Sequence, residues 1–183
     1  MAPLRRRAVI PLVAAGSLWL AASCATMNVN SYASRGSDFR HYRTYNWSPP
    51  DTRPTGDPRL DNNRFFDERI RGQVEQELER RGFTKTAPQQ ADVLVHYHAS
   101  VSQQIDVRDL DNSRSYCADH DCRPFIYDKG TLFVDLVEPR TNRLIWRGWA
   151  EGSVDGVIDD QNSMESLIDE AVAKLLARLP SRL

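Results

Sequence analysis

Apolar side chains recur along this chain in three rhythms, each predicting a different kind of element. Between Asn62 and Arg81, Phe66, Ile70, Val74 and Leu78 fall every four residues on one side, with Arg, Glu and Gln over the rest. That spacing predicts an amphipathic helix. Gly82 then offers a residue suited to left-handed backbone, and Phe83 can pack back on Leu78, as in a Schellman stop. A wider stripe of Met164, Leu167, Ile168, Ala171, Val172, Leu175, Leu176 and Leu179 predicts a second helix. Asn162 and Glu165 are its expected capping box, and Pro180 ends it.

The second rhythm is strict alternation. From Ala91 to Val101, Val93, Val95, Tyr97, Ala99 and Val101 point one way, and Leu94, His96 and His98 the other. Met27 to Tyr32, Tyr42 to Trp47, Thr131 to Val137 and Arg143 to Gly152 also read as strands, the last two forming a hairpin across a short link. If Leu132, Val134 and Leu136 face the core, then Phe133, Asp135 and Val137 face outward. By the same alternation Ile145, Arg147 and Trp149 join Leu94, His96 and His98 on that outer face. Proline and glycine break the chain between Ser48 and Arg59 into a loop. The expected fold is α+β, a mostly antiparallel sheet with two helices packed on one face as a two-layer sandwich.

The third rhythm is a continuous apolar run. Ala8 to Leu20, broken only by Pro11, follows the basic triplet Arg5-Arg6-Arg7 and ends in Ala21-Ala22-Ser23-Cys24. At about 13 residues it is too short to span a bilayer, and it has the plan of a signal peptide. Leu20-Ala21-Ala22-Ser23-Cys24 resembles a lipobox, though with Ala21 where Leu is usual; the alternative is an ordinary secretory leader with an incidental cysteine. In the first reading residues 1–23 are removed, and Cys24 carries the acyl chains, palmitate among them, that hold the protein in a membrane. In the Gram-negative lipoproteins that this N-terminus resembles, a residue other than Asp at the position of Ala25 implies sorting to the outer membrane, with the domain facing the periplasm. The first strand would begin near Met27, so the tether reaches on the order of 10 Å.

Residues 24–183 form one domain-sized unit with 21 basic and 25 acidic residues. This balance gives no reason to expect nucleic-acid binding. No cofactor motif is present: the chain lacks a Gly-x-Ser-x-Gly elbow, a His-Glu-x-x-His pair and a phosphate-binding glycine loop.

Four stretches carry a family resemblance: Asp38 to Trp47, Ala91 to Val95, Gly130 to Val137, and Leu144 to Ala150. Within them, Arg43-Thr44-Tyr45-x-Trp47 and Trp146-Arg147-Gly148 are the more specific. The chain resembles bacterial lipoproteins catalogued as domain of unknown function 4136. The resemblance implies a fold and a location, and it carries no catalytic or ligand residues. Residues 103–129 look like an insert-like loop particular to this sequence.

That loop holds Cys117 and Cys122. In an oxidising compartment they are expected to form a disulfide. The competing arrangement uses His96 and His98, about 7 Å apart on one strand face, with His120 and the reduced cysteines as a metal site. Asp109-x-Asp111-x-Ser113 begins like a calcium loop but lacks its glycine and closing glutamate. The reading that best fits the residues is a non-enzymatic, lipid-anchored outer-membrane module that binds an envelope protein. Phe133, Arg147 and Trp149 are its candidate partner-binding face, or else a face covered by the segment from Gln103 to Lys129 folding back; a periplasmic metal-binding protein is the alternative function. Replacing Cys24 with Ser is expected to abolish acyl labelling and release the protein from membranes; a variant that stays membrane-bound, beside a wild type without lipid, refutes the anchor.

Overall fold

A computed structural model describes residues 27–50, 52–106 and 125–181. Cys24, Cys117, His120 and Cys122 lie outside the described residues. The elements run in the order β1 (Asn28–Ala33), β2 (Thr44–Trp47), α1 (Arg64–Arg80), β3 (Thr84–Lys85), β4 (Val93–Asp106), β5 (Phe125–Glu138), β6 (Arg143–Ser153) and α2 (Gln161–Leu176). Six strands form one open sheet in the order β1-β6-β5-β4-β2-β3. The β1/β6, β6/β5 and β5/β4 pairs are antiparallel, whereas β2 lies parallel to both β4 and β3. The chain passes from β2 to β4 through α1, and a crossover helix is what parallel neighbours require.

One face of this sheet is sealed. Val93 and Val95 of β4, Val134 and Leu136 of β5, and Trp146 and Ala150 of β6 bury against Ile70, Val74 and Leu78 of α1 and Ile168, Val172, Leu175 and Leu176 of α2. Arg69 of α1 fastens the two helices to each other through ion pairs with Glu165 and Asp169. Gly148, opposite Val134 in the sheet, leaves the space that the Trp146 indole fills; a Cβ there would lie 2.5 Å from that ring and 2.7 Å from Leu175.

Helix ends follow from local chemistry. The Asn63 side chain accepts from the Phe66 amide at the start of α1. At its end Gly82, at φ 77°, allows the Phe83 amide to reach the Leu78 carbonyl and the Gly82 amide the Glu79 carbonyl, which is the full Schellman pattern. The cap of α2 differs from expectation. Asp160, not Asn162, accepts from the amides of Asn162 and Ser163; these hydrogen bonds draw its carboxyl below the ordinary aspartate value.

Two further expectations are corrected. The insert-like loop 103–129 is shorter than its sequence suggests, because β4 runs on to Asp106 and β5 starts at Phe125. Polar residues such as Gln103 and Gln104 hide a strand when it has no buried face to enforce alternation. Ile145 is not on the outer face but fully buried in the core. Leu136 pairs with Trp146 and Val137 with Leu144, leaving Ile145 as the extra residue of a bulge, and a bulge breaks the period of two.

Asp92 joins β2 to β4. Its Oδ2 accepts from the amides of Arg43 and Thr44 at 2.8 and 2.9 Å and from the Thr44 hydroxyl at 2.9 Å. Burial opposes the charge, but these bonds prevail and hold the carboxyl below the ordinary aspartate value. A depressed folded pKa means that the stabilisation is complete above the unfolded pKa of about 3.9 and is lost as pH falls through the folded value. Asp92→Asn is therefore expected to cost roughly 1–2 kcal/mol at pH 7, with wild-type and variant stabilities converging in strongly acid solution when followed by urea denaturation. Gly148→Ala is expected to cost about 1–3 kcal/mol through overpacking, read as a lowered Tm.

Candidate functional site

The second face of the sheet is covered by no described helix, and its side chains meet across strands in two rows. His96 stands opposite Asp135, Asp135 opposite Arg147, and Arg147 opposite Tyr32. The adjoining row runs His98, Phe133, Trp149, Asn30. The structure thus brings the predicted residues Phe133, Arg147 and Trp149 together. The His98 ring stacks on Phe133 at 6.5 Å between centroids and 24° between planes. Arg147 lies over the same ring at 5.7 Å and grips Asp135 with two bonds of 2.7 and 2.6 Å.

This fork has an energetic consequence. The Asp135 side chain is only 11% exposed, and the Arg147 guanidinium is its ion-pair partner. Its hydrogen bonds raise the arginine above its ordinary value, so Arg147 is a fixed cation bordered by aromatic rings. Tyr32, on the edge strand, is 53% exposed. Such a surface presents a planar donor and flat apolar area, the side-chain types enriched at protein interfaces. His96 and His98 share this face, as their spacing predicted, and each has interaction partners. Among the described residues no group of three or more His, Cys, Asp or Glu side chains is placed to hold a metal ion; His120 and the cysteine pair lie outside them.

A second feature was not foreseen. A cavity of about 470 Å³ opens along β4 where β2 ends. Its lining includes five successive residues of β4, Val95 to Ala99. Successive side chains point to opposite faces, so the cavity follows the edge of the strand rather than either face. Across it stand residues 48–50 and 52–55 and the start of α1. On the helix side, the Arg71 guanidinium lies 4.5 Å from the Trp47 ring centre, and Trp47 packs edge-on to Tyr97. The Tyr97 hydroxyl donates to Asp67 at 2.6 Å, and Asp67 also accepts from Arg71. Burial first, and the Asp67 carboxylate second, push the Tyr97 hydroxyl well above its usual value, so it stays a donor. The signal for this groove in the sequence was the run of Pro49, Pro50 and Pro54, which marked a loop without saying what it faced.

The sheet order, the paired helices and these surfaces can be set beside known proteins. A family model described as domain of unknown function, DUF4136, matches residues 29–181. The chain belongs to the DUF4136 family. A DUF4136 family protein from Bacteroides thetaiotaomicron superposes with a TM-score of 0.50 at 13% identity, over 86% of this chain and 98% of that one. A PDZ domain protein from Parabacteroides distasonis gives 0.52 at 15% identity over 84% of this chain, which spans only 36% of that longer protein. PelC from Paraburkholderia phytofirmans, a dodecamer, gives 0.47 or 0.48 at 13–14% identity, over 86% of this chain and 100% of that one. At these identities the likeness is one of fold alone. No curated protein matches the sequence.

Within this DUF4136 domain the two specific motifs have separate duties. Arg43-Thr44-Tyr45-x-Trp47 is Arg43 followed by β2, with Tyr45 in the core and Trp47 at the groove. Trp146-Arg147-Gly148 crosses β6, with Trp146 and Gly148 turned inward and Arg147 outward. Removing Arg147 strands the shielded Asp135 carboxylate, so Arg147→Ala is expected to destabilise by roughly 1–3 kcal/mol. The double variant Asp135→Leu/Arg147→Leu should lose less. Denaturant titration of both proteins checks the order, and a double variant weaker than the single would refute it.

Proposed function

We propose that this DUF4136 protein is a non-enzymatic, lipid-anchored module of the outer membrane, facing the periplasm, that binds an envelope protein through the uncovered face of its sheet. The observation that carries this reading is the patch of Phe133, Arg147 and Trp149, extended by Tyr32 and His98, on a face that no described helix covers. Aromatic residues and arginine contribute most to binding when a partner excludes water from them. Here they are set on paired strands, so little conformational freedom remains to be lost.

The anchor would shape access to that face. β1 begins at Asn28 and pairs with β6 along its whole length, only four residues past Cys24. Such a tether reaches about 14 Å. The domain would sit close to the lipid headgroups, and a partner would be membrane-embedded or membrane-proximal.

A photocrosslinking residue at Trp149, compared with one at Gln76 on the exposed side of α1, tests the reading in intact cells. Discrete protein adducts from position 149 and none from position 76 are expected. Identical adducts from both positions, or none from 149, refute the sheet face as the binding surface.

A further inference from the structure

The two edges of the sheet are built differently, and the difference carries an inference separate from the outer face. β3, at one edge, is two residues long and contains Lys85; short or lysine-bearing edges resist further pairing. β1, at the other, runs six residues, Asn28–Ala33, without a charge, a proline or a bulge. Among the described residues β6 is its only sheet neighbour. The Ser34 amide donates to the Ile145 carbonyl at 2.9 Å, in register with the β1/β6 pairs. Even-numbered residues therefore bond to β6, and Val29, Ser31 and Ala33 turn their backbone groups the other way. Every residue of β1 except Val29 is exposed.

The helix beside this edge carries charges arranged to match. α2 lies over β6: a Cβ on Gly148 would meet Leu175 at 2.7 Å, and Gly148 stands opposite Ser31. One flank of α2 turns Glu165 and Asp169 to Arg69 of α1. With about 3.6 residues per turn, the opposite flank carries Glu170, Lys174 and, in the turn that follows the helix, Arg178, all exposed. α1 bonds to Trp47 of β2 and Tyr97 of β4, on the far side of the sheet, so this free flank of α2 overlooks β1. Glu170 and Arg178 lie four residues on either side of Lys174, at the level of Ser31.

We propose that β1 pairs antiparallel with β1 of a second copy of this chain, about a twofold axis through Ser31, joining two six-stranded sheets into one. Ser31 then faces Ser31 and Val29 faces Ala33, so all three outward residues exchange backbone bonds, while Asn30 faces Tyr32. No like charges meet along the strands. Above them the two α2 helices run antiparallel, which sets Glu170 of each beside Arg178 of the other. The two β6 strands lie three strand spacings apart, about 14 Å, a gap that long glutamate and arginine side chains bridge. Glu170 binds its own Lys174 through Oε1, which leaves Oε2 for the arginine. These charges fix a register that an uncharged strand leaves loose. Both outer faces come to lie on one side with Phe133, Arg147 and Trp149 still uncovered, so partner binding there neither requires nor excludes the pairing.

The test co-expresses two full-length copies that carry different affinity tags and recovers one tag from detergent extracts. Wild-type copies should bring each other down. Ser31→Lys in both copies sets two cations directly opposite and should lower recovery of the second tag several-fold, as should Ser31→Asp in both. Ser31→Lys paired with Ser31→Asp should restore it. On the helices, Glu170→Arg should weaken recovery and Glu170→Arg/Arg178→Glu should return it. Copies that merely share a micelle would be indifferent to these charges. Should a Ser31 variant not fold, the exposed helix positions still decide. Wild-type copies that do not co-purify, as would follow if residues 1–26, residues 107–124 or another protein covered the edge, overturn the proposal. So does recovery that like charges leave unchanged, or that the opposite-charge pair fails to restore.

Discussion

Two helices closing over one face of an open sheet is the constraint from which the other features follow. The buried face has to be filled to interior density, and it is filled from five elements at once by Val95, Val134, Leu136, Trp146, Leu78 and Leu175. Among the described residues Trp146 is the largest of the fully buried side chains, and the indole occupies the volume that a Cβ on Gly148, two residues along, would take. The Trp-Arg-Gly triplet is thus one packing solution. Its middle residue is released to the other face by the strand period, where Asp135 fixes it.

Among the described residues the outer face has no such layer, and its side chains stabilise one another sideways. Phe133 is bounded by His98 and Arg147, and Arg147 by Asp135. A surface organised this way can be stable in water and still carry flat apolar area, because cation and rings each shield part of the other. The same arrangement makes it suitable for docking: the groups are already in place before a partner arrives.

β2 adds a different asymmetry. It is four residues long beside a strand of fourteen, and Asp92 binds its beginning to the start of β4. Beyond Trp47 the chain turns into prolines, and β4 continues past it, leaving the edge groove. The groove is the product of a length mismatch between parallel neighbours, stabilised at each end by a backbone bond.

Much of this was legible in the residues alone, for a physical reason. Helix α1, its Schellman stop, the stripe of α2 and the inward alternation of β4 and β5 depend on local period and on residues a few positions apart, so they can be read without knowing the partner surfaces. The outward set of Phe133, Arg147 and Trp149 followed from the same alternation. Tertiary structure decided what sequence distance conceals. The bulge that returned Ile145 to the core exists only because β6 must match β5. The extension of β4 through Gln103 and Gln104 is a consequence of pairing with β5, not of burial. The groove depends on which strand β2 chose as its neighbour, and strand choice is set by contacts between residues dozens of positions apart, which no local pattern encodes.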